Sequence, residues 1–69
     1  MTTADVERLA RSLIVERGFP CTLLSVTAAA MGWNVMVRAG TGALVRFAVS
    51  SQRPIAVRQA IQETLEAAL

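Results

Sequence analysis

The sequence predicts an α+β fold, a two-layer sandwich in the order helix, three strands, helix. Apolar residues recur with a period of 3.6 over 3–17 and again from Pro54 onward, which predicts amphipathic helices at both ends of the domain. Between them, Trp33 to Ser50 alternates apolar and polar residues in two runs around a glycine-rich turn, as a β-hairpin does. Both apolar stripes can be buried together on one face of a three-stranded antiparallel sheet.

The two helices are indicated by their apolar stripes and by residues that begin and end helices. Thr2 or Thr3 can cap the first turn, Gly18 suits a left-handed stop, and Pro20 prevents continuation. Pro54 fits the first position of the second helix. The first stripe comprises Val6, Leu9, Ala10, Leu13 and Ile14, and the second comprises Val57, Ala60, Ile61, Thr64, Leu65 and Ala68.

The strands follow from the period-two alternation. In the hairpin, a sum of 82 for opposed residue numbers leaves the loop Gly40-Thr41-Gly42 and places one apolar set on a common side. That set is Trp33, Val35, Val37, Val45, Phe47 and Val49. A first strand is predicted at about 22–28, followed by a turn over 29–32. Its even positions, which we expect to face the core, are Leu24, Val26 and Ala28.

Length and composition bound the class of protein. The 69 residues make one domain, and a chain this short buries only about 60% of its unfolded surface, so its stability is marginal without an addition. Cys21 is the single cysteine, so we expect no internal disulfide. With one thiol and no histidine, we also expect no metal site and no cofactor. Association with a partner remains, and the 54% hydrophobic content favours it.

An uncharged stretch from Phe19 to Val37 raises the question of a membrane span. Pro20 and Gly32 interrupt it, and the flanking periodicities are typical of a water-soluble domain, so no span is expected. Asp5 and Glu7 stand where a secretory leader would be basic. The expected location is the cytoplasm.

Catalysis is hard to assign to these residues. The chain has no histidine, tyrosine or lysine, which removes the commonest general bases and Schiff-base amines. Cys21 follows the C-terminal end of the first helix, the wrong pole to lower the pKa of a thiol. The five acids fall on predicted solvent faces of helices. We therefore expect no catalytic residues and no enzymatic activity.

Arginines form the first candidate site. Seven arginines and five acids give a formal charge of +2. Arg38 and Arg46 are predicted on the open face of the sheet, and Arg53 and Arg58 at the start of the second helix. The four could form one rim that binds phosphates or other anions, because arginine makes bidentate contacts and a helix N-terminus adds positive potential. The alternative is that they keep a hydrophobic domain soluble.

Apolar residues on the open face form the second candidate site. Met36, Leu44 and Leu23 are expected there, and such a cluster suggests a partner surface. The predicted first strand is also an uncharged edge. We therefore predict a homodimer, or binding of another protein, through this face or that edge. Trp33 is expected to pack at the core edge, with base stacking as the alternative.

The hairpin and the following helix, with Ala56, Ala60 and the segment 67–69, resemble the last two strands and the alanine-rich final helix of the double-stranded RNA-binding domain. The resemblance implies the same topology. It would place a phosphate-binding cluster at 51–58, where Arg53 and Arg58 are the basic residues. A non-enzymatic interaction domain is thus the leading interpretation, and nucleic-acid binding with a reduced basic surface is the alternative.

Overall fold

The computed structural model describes all residues from Met1 to Leu69 and has the predicted α+β architecture. Its elements are α1 (Thr3–Arg17), β1 (Cys21–Ala29), β2 (Gly32–Ala39), β3 (Leu44–Val49) and α2 (Pro54–Ala68). The strands form one antiparallel sheet in the order β1-β2-β3, so β1 and β3 are its edges. Neither helix has the length and apolar character needed to cross a membrane.

Helix α1 begins and ends at the residues whose chemistry predicts it. The Thr2 hydroxyl accepts a hydrogen bond from the Asp5 backbone N–H at 3.2 Å, and the Asp5 carboxylate accepts one from the Thr2 N–H at 2.8 Å. This reciprocal pair is a capping box. At the other end Gly18 adopts φ 66°, the left-handed conformation that closes the helix.

The β2–β3 hairpin has the predicted register. Val35 lies opposite Phe47, in a ladder that runs from the pair Trp33 and Val49 to the pair Arg38 and Leu44. The loop is closed by a hydrogen bond of 2.8 Å from the Gly42 N–H to the Ala39 carbonyl. Gly42 adopts φ 93°, which explains why glycine occupies this position.

Strand β1 contains an irregularity that the alternation pattern does not predict. Leu23 pairs with Val37, but Ser25 pairs with Met36, so Leu24 is an extra residue in a β-bulge. The bulge moves the core face from odd positions before it to even positions after it. As a result Leu23 is buried at 8% exposure, whereas Leu24 is 40% exposed.

Two predictions about β1 are therefore wrong. Leu24 does not face the core, and Leu23 does not lie on the open face. The physical reason is the same in both cases, because one inserted residue exchanges the two faces of a strand. Val26, beyond the bulge, is buried as predicted, while Ala28 near the end of the strand is exposed.

The core lies between the helices and one face of the sheet. It consists of Val6, Ala10, Leu13, Leu23, Val26, Trp33, Val35, Val37, Val49, Val57, Ile61 and Leu65. Trp33 is only 5% exposed and its indole N–H has no hydrogen-bond partner. The core position predicted for this side chain is thus confirmed, and the base-stacking alternative is wrong because the ring has no exposed face to offer.

The start of β2 packs tightly against the end of β3. A Cβ atom added at Gly32 would lie 1.8 Å from the carbonyl oxygen of Val49. Only glycine therefore allows the two backbones to approach this closely. The preceding turn, Ala30 and Met31, connects β1 to β2 at the same end of the sheet.

Candidate interaction surface

The face of the sheet opposite the helices is uncovered, and we call it the open face. Its residues alternate along each strand with those that enter the core, and none of them belongs to the core or packs against it. They are Thr22, Leu24, Ser25 and Thr27 on β1, Asn34, Met36 and Arg38 on β2, and Leu44, Arg46 and Ala48 on β3. The open face thus presents both polar and apolar side chains that are not part of the core.

Three apolar side chains form a row across the open face. The bulge sets Leu24 beside Ser25 and opposite Met36 on the central strand, and Leu44 lies on β3. Leu44 is 51% exposed, Leu24 is 40% exposed and Met36 is half-buried. Met36 and Leu44 are where the sequence predicts them, while Leu24 takes the place predicted for Leu23. We call Leu24, Met36 and Leu44 the apolar row.

Two arginines stand on either side of the apolar row. Arg46 lies directly opposite Met36, and Arg38 lies directly opposite Leu44. In the pleated lattice of the sheet, these pairings put Arg38 on one side of the line from Leu24 through Met36 to Leu44, and Arg46 on the other. The open face therefore has an apolar centre with a cation on each flank.

A shallow depression of about 380 Å³ lies beside the row. Its open-face lining is Ser25, Thr27, Asn34, Met36 and Arg46. Hydroxyl and amide groups next to a guanidinium provide both donors and acceptors for hydrogen bonds with a bound chain.

The open face has two arginines and no acid. All five acids lie on α1 or α2, and five of the seven arginines lie on those helices or at the N-cap of α2. These charges cancel. The remaining two arginines, Arg38 and Arg46, account for the formal charge of +2. No carboxylate lies on the strands to neutralise them.

The structure does not bring the four predicted arginines into one rim. Arg38 and Arg46 extend from the open face, whereas Arg58 belongs to the helical side, where its Nη2 lies 2.6 Å from Glu16 Oε2. Arg53 is the N-cap of α2 and makes no side-chain capping bond. Arg58 is therefore separated from Arg38 and Arg46, which lie on the other side of the sheet. Anion binding by either group stays a prediction.

A second cavity, of about 590 Å³, lies along α1 and beside the beginning of α2. We call it the helical cleft; its lining is Met1, Asp5, Arg8, Leu9, Ser12, Glu16, Gln52, Pro54 and Arg58. Two acids and two arginines balance within it, with Arg8 3.9 Å from Asp5 and Arg58 paired to Glu16. This is the position where the resemblance places phosphate binding, and its cations already have carboxylate partners.

Two side chains away from the open face have shifted pKa values. The Asp5 carboxylate accepts a hydrogen bond of 2.8 Å from the Thr2 backbone N–H, and this bond, with a smaller contribution from the Thr2 side chain, lowers the pKa of the Asp5 carboxyl. Partial burial raises the pKa of the Cys21 thiol, which favours its neutral form. Each shift has a structural cause and neither group borders the open face.

Comparison of this chain with protein-family models, with curated protein sequences and with solved structures gives no match. The chain has the order helix, three antiparallel strands and helix.

Proposed function

We propose that this chain is a non-enzymatic interaction domain that binds protein, either a second copy of itself or another chain. One observation carries the proposal: in the apolar row Leu24 and Leu44 are exposed and Met36 is half-buried, and none of the three packs against the core. Exposed apolar side chains are ordinary when they are scattered, but a contiguous group on an uncovered sheet indicates a contact surface.

Marginal stability supports the same proposal. The core consists of only 12 buried residues, and a domain of this size has a net stability of only a few kcal/mol. Contact with a partner would remove further apolar surface from water, at roughly 25 cal/mol for each Å² buried. Association is therefore a physical route by which so short a chain becomes more stable.

A homodimer is one form of this proposal, and the charges bear on how it assembles. Two open faces packed together would oppose four arginines with no acid between them, because neither copy has a carboxylate on its strands. Strand β1 offers another route, since it is an edge strand without a charged residue from Cys21 to Ala29. We propose that a second copy pairs along this edge and leaves the open face available.

Light scattering tests the homodimer directly. At about 100 µM protein we expect a dimer mass, and the melting temperature should rise with protein concentration because association stabilises the folded state. A monomer mass at that concentration would contradict self-association. Met36→Arg separates the two routes, because it places a charge at the centre of the open face but does not touch the β1 edge.

Nucleic-acid binding is the second candidate function. The observation that favours it is the charge excess of Arg38 and Arg46, together with Arg53 at the N-terminus of α2. Titration of labelled protein with a short RNA duplex and a matched DNA duplex tests it. Replacing Arg53 and Arg58 together should reduce the slope of log affinity against log salt by about 0.9 for each phosphate that is no longer bound. An unchanged slope would exclude that pair from phosphate binding.

A further inference from the structure

We propose that the occupant of the open face is an acidic amphipathic helix of another protein, whose apolar stripe covers the apolar row and whose carboxylates meet Arg38 and Arg46. This inference rests on the proposed function, which it makes specific by naming the chemistry of the partner. Three properties of the open face support it: the sign of its charge, its dimensions and the order of its side chains.

The two arginines of the open face favour a partner with negative charge. Arg38 and Arg46 carry the whole formal excess of the protein, while every carboxylate lies on the helices. An acidic partner gains two ion pairs on this surface, and a neutral partner gains none. A basic partner, or a second copy presenting its own open face, meets unneutralised like charge.

Dimensions favour a single helix. Three strands spaced about 4.8 Å apart, with three rows about 6.7 Å apart, give a surface of roughly 300 Å² in projection. A standard interface buries about 800 Å² of accessible surface on each partner, so a globular domain in such an interface would also contact residues outside the open face. A helix about 10 Å in diameter fits across it. The opposite face of the same sheet is covered by α1 beside β1 and α2 beside β3.

The order of the side chains matches the spacing of a helix. From Leu24 to Leu44 the apolar row crosses two strand spacings and one row, a distance of about 12 Å. Apolar residues at i, i+4 and i+7 of a helix span about 10.5 Å. Arg38 and Arg46 lie on the two sides of the row, within reach of acids that flank such a stripe.

The open face is less suited to nucleic acid. Single strands are held by aromatic side chains on which bases stack, and Trp33 and Phe47 both lie on the core side of the sheet. Two arginines offer two phosphate contacts, and the exposed apolar row offers none. Each of these features fits a peptide that carries leucines and carboxylates.

The test uses three fluorescein-labelled helical peptides of about 15 residues that share one leucine stripe at i, i+4 and i+7. Glu, Gln or Lys occupies the flanking positions. Fluorescence anisotropy at low salt should give the affinity order Glu above Gln above Lys. Because an exposed ion pair changes affinity by about two- to threefold, Arg38→Gln/Arg46→Gln should weaken binding of the Glu peptide about fivefold and leave that of the Gln peptide unchanged.

Two further variants make this result specific. Arg8→Gln/Arg11→Gln removes the same amount of charge from exposed positions of α1 and should change no affinity by more than about twofold. Arg38→Glu/Arg46→Glu should transfer the preference from the Glu peptide to the Lys peptide. Circular dichroism of each variant checks folding, and all four arginines are exposed or lie outside the core.

The outcomes separate this inference from the proposed function. Equal affinity for all three peptides, abolished in Met36→Asp, would show that the open face binds protein and would overturn the acidic partner. Absence of binding by the Glu peptide at millimolar concentration would overturn the inference, while light scattering would still decide self-association. Binding of an RNA duplex that depends on Arg38 and Arg46 would overturn the inference in favour of nucleic acid.

Discussion

Leucines 23 and 24 provide a sensitive test of the β1 bulge, because the bulge alone decides which of them is in the core. Leu23 is 8% exposed and Leu24 is 40% exposed and outside the core. Truncating a buried leucine to alanine costs about 2–5 kcal/mol, and the small residual exposure places Leu23→Ala near the lower end, at about 2.5 kcal/mol. Leu24→Ala should cost no more than about 0.5 kcal/mol, as expected for a surface site.

These values are large relative to the stability of the domain. At about 0.05–0.15 kcal/mol per residue, the 69 residues give roughly 3–10 kcal/mol in total. A loss of 1 kcal/mol lowers the melting temperature of so small a domain by about 7 °C, so Leu23→Ala should melt roughly 15–20 °C below the wild type. Urea denaturation followed by circular dichroism and by the fluorescence of buried Trp33 measures both variants. Equal costs, or a greater cost at Leu24, would refute the bulge.

Three further predictions concern other parts of the molecule. Gly32→Ala should destabilise the protein by about 1–3 kcal/mol, because the new Cβ overlaps the last carbonyl of β3. Gly40→Ala is the matched control in urea denaturation, because its Cβ would have its nearest contact at 3.4 Å. Because folding lowers the pKa of Asp5, this carboxylate stabilises the protein above pH 3.8, its ordinary pKa, and the stabilisation is lost as pH falls through the pKa of the folded state. The difference in stability between wild type and Asp5→Ala should therefore shrink in acid titrations. A constant difference would contradict that linkage. Burial raises the pKa of Cys21, so iodoacetamide should alkylate the folded protein more slowly than the urea-unfolded chain at mildly alkaline pH.

Local signals in the sequence predict most of the fold. Thr2, Gly18 and Pro54 mark helix ends through the chemistry of backbone capping, and α1 begins and ends where they place it. The hairpin register follows because the alternation of apolar residues and the glycine loop agree on one pairing. Where two local signals agree in this way, the sequence is enough to predict the structure.

The bulge could not be predicted because its local signal is ambiguous. Leu23 and Leu24 are consecutive leucines, and either can enter the core with no change in composition. Tertiary packing decides which leucine is buried. Leu23 pairs with Val37 and lies in the core, and the bulge at Leu24 allows Val26 to lie in the core as well. A pair of adjacent apolar residues within an alternating strand is the one sequence feature that could have indicated a bulge.

The arrangement of arginines depends on contacts between distant residues. Arg58 pairs with Glu16 across 42 positions of sequence, which no local pattern predicts. Positions on alternating strands do predict that Arg38 and Arg46 share the open face. The sequence could therefore place each arginine on its own element but could not show that Arg58 has an acidic partner while Arg38 and Arg46 have none.

The most direct test of the open face as the binding surface uses the three methionines, which report on three different places. Met36 lies on the open face, Met31 is 78% exposed at the turn between β1 and β2, and Met1 lines the helical cleft. With ¹³C-methyl methionine labels and addition of the Glu peptide, the Met36 signal should shift while the other two remain in place. A shift confined to Met1, with Met36 unmoved, would place binding in the helical cleft and contradict an interaction surface on the sheet.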